Sequence, residues 1–165
     1  MAVEIVSNLH FANMVLVLAS GTITAIWGFI LYFFVLKKVQ PATVTETAAG
    51  RGETVSTSGE VAKTGKVERP AALRPWNIAL TVTAIVALLQ ALLGITLVLL
   101  GQRPGTGTGL YYLHYVYGAI VAVAIPVGIT YTTSGKHIRR DVLILSIAAL
   151  VLVAAGIRAL MTGPH

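Results

Sequence analysis

Three long stretches of this chain carry no formal charge: Phe11 to Leu36, Pro75 to Gln102 and Pro104 to Gly135. A fourth, Val142 to Ile157, reaches Met161 if Arg158 is accepted within it. A bilayer core ~30 Å thick is crossed by about 20 apolar residues in an α-helix. The runs therefore predict four membrane-spanning helices at about 9–36, 76–100, 111–132 and 141–161. Alternating apolar and polar residues, the mark of a membrane β-barrel, are absent. Of the 165 residues, 56% are hydrophobic and 11% charged, too few charges to coat a water-exposed globule. The expected fold is all-α, a single integral membrane four-helix bundle over 1–165. With no cysteine, disulfide scaffolds, thiolate zinc sites, iron–sulfur clusters and thioether-linked haem are excluded.

The net charge of +6 is explained by where the basic residues fall. Lys37, Lys38, Arg51, Lys63, Lys66, Arg69 and Arg74 lie between the first two helices, and Lys136, Arg139 and Arg140 between the last two. Only Arg103 and Arg158 fall on the other side. The positive-inside rule then makes both basic loops cytoplasmic and both termini extracytoplasmic, as in a multi-pass protein of a bacterial-type inner membrane. No nucleic-acid partner is needed. Met1 to Leu9 has no basic residue and the apolar run behind it is longer than a signal peptide's, so the first helix is expected to be retained. Segment 41–72 is rich in Ala, Thr, Gly, Ser, Glu and Lys and reads as a flexible cytoplasmic tether, with a docking arm as the functional alternative. Gly105, Gly107 and Gly109 make a supple turn rather than a dinucleotide fingerprint, since no strand precedes them.

Polar side chains at membrane depth need an explanation. His114 sits near the start of the third helix, about 12 Å from the bilayer centre by helical rise. Gly118, Ala122 and Pro126 follow on or near its face, which places that face inside the bundle. His10 opens the first helix, about 18 Å from the centre, with Asn13, Val17, Gly21, Thr24 and Gly28 on a small, polar stripe. The two helices run the same way, so both imidazoles belong to the outer half of the membrane. Facing imidazoles in a helical bundle can hold a haem iron at both axial positions. Each also has a plain structural reading: an interfacial histidine bonded to a carbonyl in a belt with Tyr111, Tyr112, Tyr115 and Tyr117 for His114, and a wet helix start for His10.

Arg158, about 11 Å out on the same side, would pair with a haem propionate or another acidic group, or else snorkel to headgroups or meet Glu4. Gln90, mid-helix, is expected to hydrogen-bond a neighbouring helix at Thr24 or Ser146, or to contact a haem edge or quinone carbonyl. Tyr117, three residues beyond His114, is counted with the cofactor-contacting side chains. Trp27, Trp76, Tyr32 and Tyr131 read as an interfacial belt at the cytoplasmic ends. Asp141 is expected at the start of the fourth helix, against its positive end. His137, in the basic loop, and the terminal His165 stand apart from the site.

The stretches LHFANMVLVLASG around His10 and LHYVYGAI around His114 resemble one four-helix half of the haem A synthase family and, more loosely, other membrane b-type cytochromes. That resemblance implies paired histidines on parallel helices holding haem near the outer face. The family's acidic and arginine residues beside the ligand histidines are missing here, as is a second four-helix half, so the synthase reaction itself is not implied. No catalytic grouping is visible in the spans. The functional expectation is a haem b-binding electron-transfer module with His10 and His114 as metal ligands and no independent catalytic activity. The alternative is an accessory or scaffold subunit of a larger respiratory or photosynthetic complex, binding pigment or quinone, associated with other membrane subunits or with itself.

Overall fold

The computed structural model describes residues 1–36, 71–102, 111–133 and 135–162. Segment 41–72 for its greater part, the basic residues at 37, 38, 51, 63, 66, 69 and 103, the glycine turn 105–109 and His165 lie outside the described residues. Four helices make up the described chain: α1 (Ala2–Ile30, continued by a π-helical turn, Leu31–Val35), α2 (Leu73–Leu99), α3 (Tyr111–Thr130) and α4 (Ile138–Thr162). Each is long and apolar enough to cross a membrane. The protein is a multi-pass, all-α membrane bundle.

α1 begins at Ala2, seven residues before the expected start near residue 9. Ala2 to Leu9 holds a single charge, Glu4, and Glu4 lies in the first turn, where the unpaired N–H groups and the helix dipole favour an anion. A charge at that position therefore does not end the helix.

α1 packs against α2 on one side and α4 on the other; α3 packs closely on α4 and more lightly on α2. α1 and α3 are thus diagonal. α1 buries Asn13, Met14, Val17, Gly21, Thr24, Ala25 and Gly28, the stripe its small and polar residues mark out. α2 buries Leu73, Trp76, Leu80, Thr83, Ala87 and Gln90, spaced by threes and fours. Trp76 is consequently a core residue, 2% exposed, and not part of an interfacial belt; its indole N–H donates to the carbonyl of Thr24 at 3.2 Å. Trp27 and Tyr131 do face outward. On α3 the buried stripe is Val121, Ile125 and Gly128, whereas Pro126 is exposed. The reason is angular. Steps of four residues drift about 40° each around a helix, so Gly118, Ala122 and Pro126 rotate steadily away from the face of His114, while residues seven and eleven beyond it return to that face.

The α1–α2 seam is pinned by polar contacts that lipid would not satisfy. Besides the indole, Thr24 and Thr83 share a hydroxyl–hydroxyl bond of 2.9 Å. Ser146 bonds its own helix at the Val142 carbonyl, 2.6 Å. Neither Thr24 nor Ser146 is the partner of Gln90, which bonds Asn13 and His10 about three turns of α1 before Thr24. Between α3 and α4, Asp141 does more than meet a helix dipole. It lies one turn inside α4, buried, and its carboxylate reaches back to accept from the Thr133 amide (2.7 Å), the Thr133 hydroxyl (2.9 Å) and the Gly135 amide (3.0 Å). Gly135 has φ +88°, which an L side chain adopts only with strain. The loop is closed by one acceptor group. Beside it, the Arg139 guanidinium covers the Tyr32 ring at 4.7 Å, tying α4 to the end of α1.

Candidate functional site

His10 and His114 come from the diagonal pair α1 and α3, and their ring centroids lie 6.5 Å apart with the planes tilted by 50°. Sequence depths had set them about 6 Å apart along the membrane normal. Measured from the middles of the observed helices, His10 is about 13 Å and His114 about 10 Å out, so starting α1 at Ala2 removes about half of that offset. Both imidazoles are half-buried.

Each ring is held by a different kind of partner. His114 Nδ1 lies 3.0 Å from the carbonyl oxygen of Ala159 on α4. A carbonyl only accepts, so Nδ1 donates and Nε2 keeps its lone pair, the arrangement in which histidines bind metals. His10 Nε2 lies 3.1 Å from Gln90 Nε2 on α2. The Gln90 carbonyl oxygen accepts from Asn13 Nδ2 at 2.8 Å, and Asn13 Nδ2 also donates to the Val86 carbonyl at 3.0 Å. The other nitrogen of His10, Nδ1, is buried with no hydrogen-bond partner.

Gln90 thus enters the site by holding His10. Arg158 and Tyr117 are brought together with each other: the guanidinium carbon sits 5.9 Å from the Tyr117 ring centroid, near the outer limit of a cation–π contact. Arg158 is exposed, and its neighbour Ala159 supplies the carbonyl that orients His114. Two contributors escape a reading of side chains. Asn13 shows only as one member of a polar stripe, although its place one turn after His10 is the available signal. The carbonyls of Val86 and Ala159 are backbone groups and leave no mark in residue type.

Whether these residues suit a metal or haem iron is a matter of spacing, lone pairs and room. Two metal–imidazole bonds of about 2.0–2.1 Å, plus the distance from each nitrogen to its ring centre, put the centroids of a trans pair roughly 6–6.5 Å apart. The observed 6.5 Å fits. His10 Nδ1, buried and unpartnered, is the nitrogen left open to a bound group, as a ligand only once its proton has moved to Nε2. Space on the scale of a methyl group exists nearby: a Cβ added at Gly118, one turn beyond His114, meets nothing within 4 Å, and one at Gly94 meets only His10, at 3.5 Å. No cluster of three or more His, Cys, Asp or Glu residues occurs among the described residues, so a small ion bound by side chains alone would have two ligands here. A macrocycle that brings its own four nitrogens needs no more than two.

Compared with protein families, curated proteins and solved structures, the chain matches none.

Proposed function

We propose that the protein is a membrane-embedded haem b-binding electron-transfer module, the haem held by His10 and His114 in the extracytoplasmic half of a bacterial-type inner membrane. The observation that carries this reading is the approach of two imidazoles from diagonal helices to 6.5 Å. A haem iron in such a place supplies a one-electron change of oxidation state without covalent chemistry. The chain's own residues do the rest. His114 is oriented by the Ala159 carbonyl, and Gln90 and Asn13 orient His10. Gly94 and Gly118 keep side-chain bulk away from this end, and the apolar helices keep bulk water away. Arg158 and Tyr117 lie toward the same end, where the guanidinium suits a carboxylate such as a propionate.

Orientation rests on charge. Arg74, Lys136, Arg139 and Arg140 lie at the end opposite the histidines, so the positive-inside rule puts the histidines and both termini outside. The deciding experiment is an optical spectrum of protein extracted in mild detergent from cells able to make haem. A Soret band that disappears in His114→Ala is expected. Pigment-free protein after supply of haem refutes the reading and leaves a scaffold subunit in its place.

A further inference from the structure

We infer that Gln90, fixed by Asn13, determines which nitrogen of His10 carries the proton and so sets how readily His10 serves as a ligand. Its bearing on haem rests on the function proposed above; the proton placement itself does not.

The argument starts from a group with no choice. The Val86 backbone carbonyl accepts and never donates, so the Asn13 side chain must present its NH2 there (3.0 Å). That same NH2 is 2.8 Å from Gln90 Oε1, which accepts. Gln90 is thereby left with its own NH2 facing His10 Nε2 at 3.1 Å. An amide nitrogen has no lone pair to offer, so His10 Nε2 accepts. A neutral imidazole has a single lone-pair nitrogen, and here it is spent. The proton must sit on Nδ1, the buried atom without a partner.

His10 and His114 are therefore opposed in function as well as in position. Each holds its proton on Nδ1, but His114 donates that N–H to the Ala159 carbonyl and keeps Nε2 free, whereas His10 Nε2 accepts from Gln90. His10 becomes a ligand through Nδ1 only when its proton moves to Nε2 and the Gln90 amide turns to accept it. Turning the amide breaks the bond with Asn13 and sets two NH2 groups against each other. Gln90 is 7% exposed and Asn13 4% exposed, so neither finds water instead. In this sense Gln90 is a positioning residue that would hold His10 back from serving as a haem ligand.

The test uses the full-length protein in detergent with 15N-labelled histidine, His10 being assigned by its absence in His10→Ala. Nitrogen chemical shifts separate protonated from bare ring nitrogens without any cofactor. In the wild-type protein, Nδ1 of His10 is expected to be protonated and Nε2 bare; the reverse pattern overturns the inference. In Gln90→Glu, at a pH high enough to ionise the buried carboxyl, it accepts from both Asn13 and His10, and Nε2 becomes protonated. Gln90→Met keeps the volume but removes the donor, and both nitrogens become partly protonated. An unchanged pattern in Gln90→Met overturns the inference even if Gln90→Glu does not fold.

A second readout is titration with haemin. Removing one opposing interhelical hydrogen bond is expected to tighten binding by about 3- to 20-fold in Gln90→Glu, with a larger low-spin fraction. Equal affinity and spin state in the two proteins count against the inference. Absence of a Soret band in both refutes haem binding while leaving the shift result standing.

Discussion

At Gly28, three helices meet with no space left for a methyl group. A Cβ built there would coincide with Ser146 Oγ of α4 and lie 2.8 Å from Trp76 Nε1 of α2 and 3.0 Å from Ser146 Cβ. Neither neighbour can withdraw cheaply. The Ser146 hydroxyl is fully buried and bonded to the Val142 carbonyl, and the indole is held on the Thr24 carbonyl. Gly28→Ala must therefore push α1 away from α4 or detach the indole. Overpacking of a tight core costs about 1–3 kcal/mol, and an indole N–H left buried without its acceptor adds about 1–3 kcal/mol. We expect a loss of about 2–6 kcal/mol, read as a lower SDS fraction at the midpoint of unfolding in mixed micelles, followed by helical circular dichroism. Ser146→Gly removes both Ser146 atoms from the collision. It costs about 1 kcal/mol in helix propensity, yet Gly28→Ala/Ser146→Gly should be more stable than Gly28→Ala alone. A Gly28→Ala protein within about 0.5 kcal/mol of wild type, or a double variant no better than the single one, refutes the three-helix contact.

Two further outcomes are expected. Asp141→Asn leaves one oxygen where two now accept from Thr133 and Gly135, so the loop should loosen by about 1–3 kcal/mol; equal hydrogen-exchange protection of the Thr133 and Gly135 amides in both proteins contradicts this. Because the chain has no native cysteine, single-cysteine variants report topology cleanly. Thr162→Cys should react with a membrane-impermeant maleimide in intact cells and Lys136→Cys only after permeabilisation, and the opposite pattern reverses the assignment of sides.

The helices were legible because membrane burial is written in composition: uncharged length alone locates four spans. What uncharged length does not locate is the first turn of a helix: residues 5–10 are also uncharged, and α1 runs through them and past Glu4 to Ala2. The inward face of α1 was legible from its small and polar residues, since lipid offers those no partner. The face of α3 was not, because its glycine, alanine and proline are spaced by fours and drift, while the core is made by Val121 and Ile125, whose chemistry is the same as that of lipid-facing valines and isoleucines. Trp76 illustrates a similar ambiguity: an indole suits a headgroup belt or a buried carbonyl equally well, and only the packing of α1 decides between them. At the site, the histidines and Gln90 stood out as costly at that depth. The bonds that hold them were not legible: His114 and Asn13 lean on the Ala159 and Val86 carbonyls, groups every residue possesses, and Gln90 bonds His10 and Asn13 in place of Thr24 or Ser146.

By chain order α1 with α2 and α3 with α4 make two halves, although α1 packs as closely on α4 as on α2, and the imidazole pair reaches from one half to the other. Any guest grasped by both rings is consequently a rivet between halves of the molecule. Its binding free energy is added to cohesion that lipid, being as oily as the helices, does little to supply. Thermal resistance of the assembled protein should then climb with guest concentration, and an empty bundle should open first along the line where α2 rests lightly on α3.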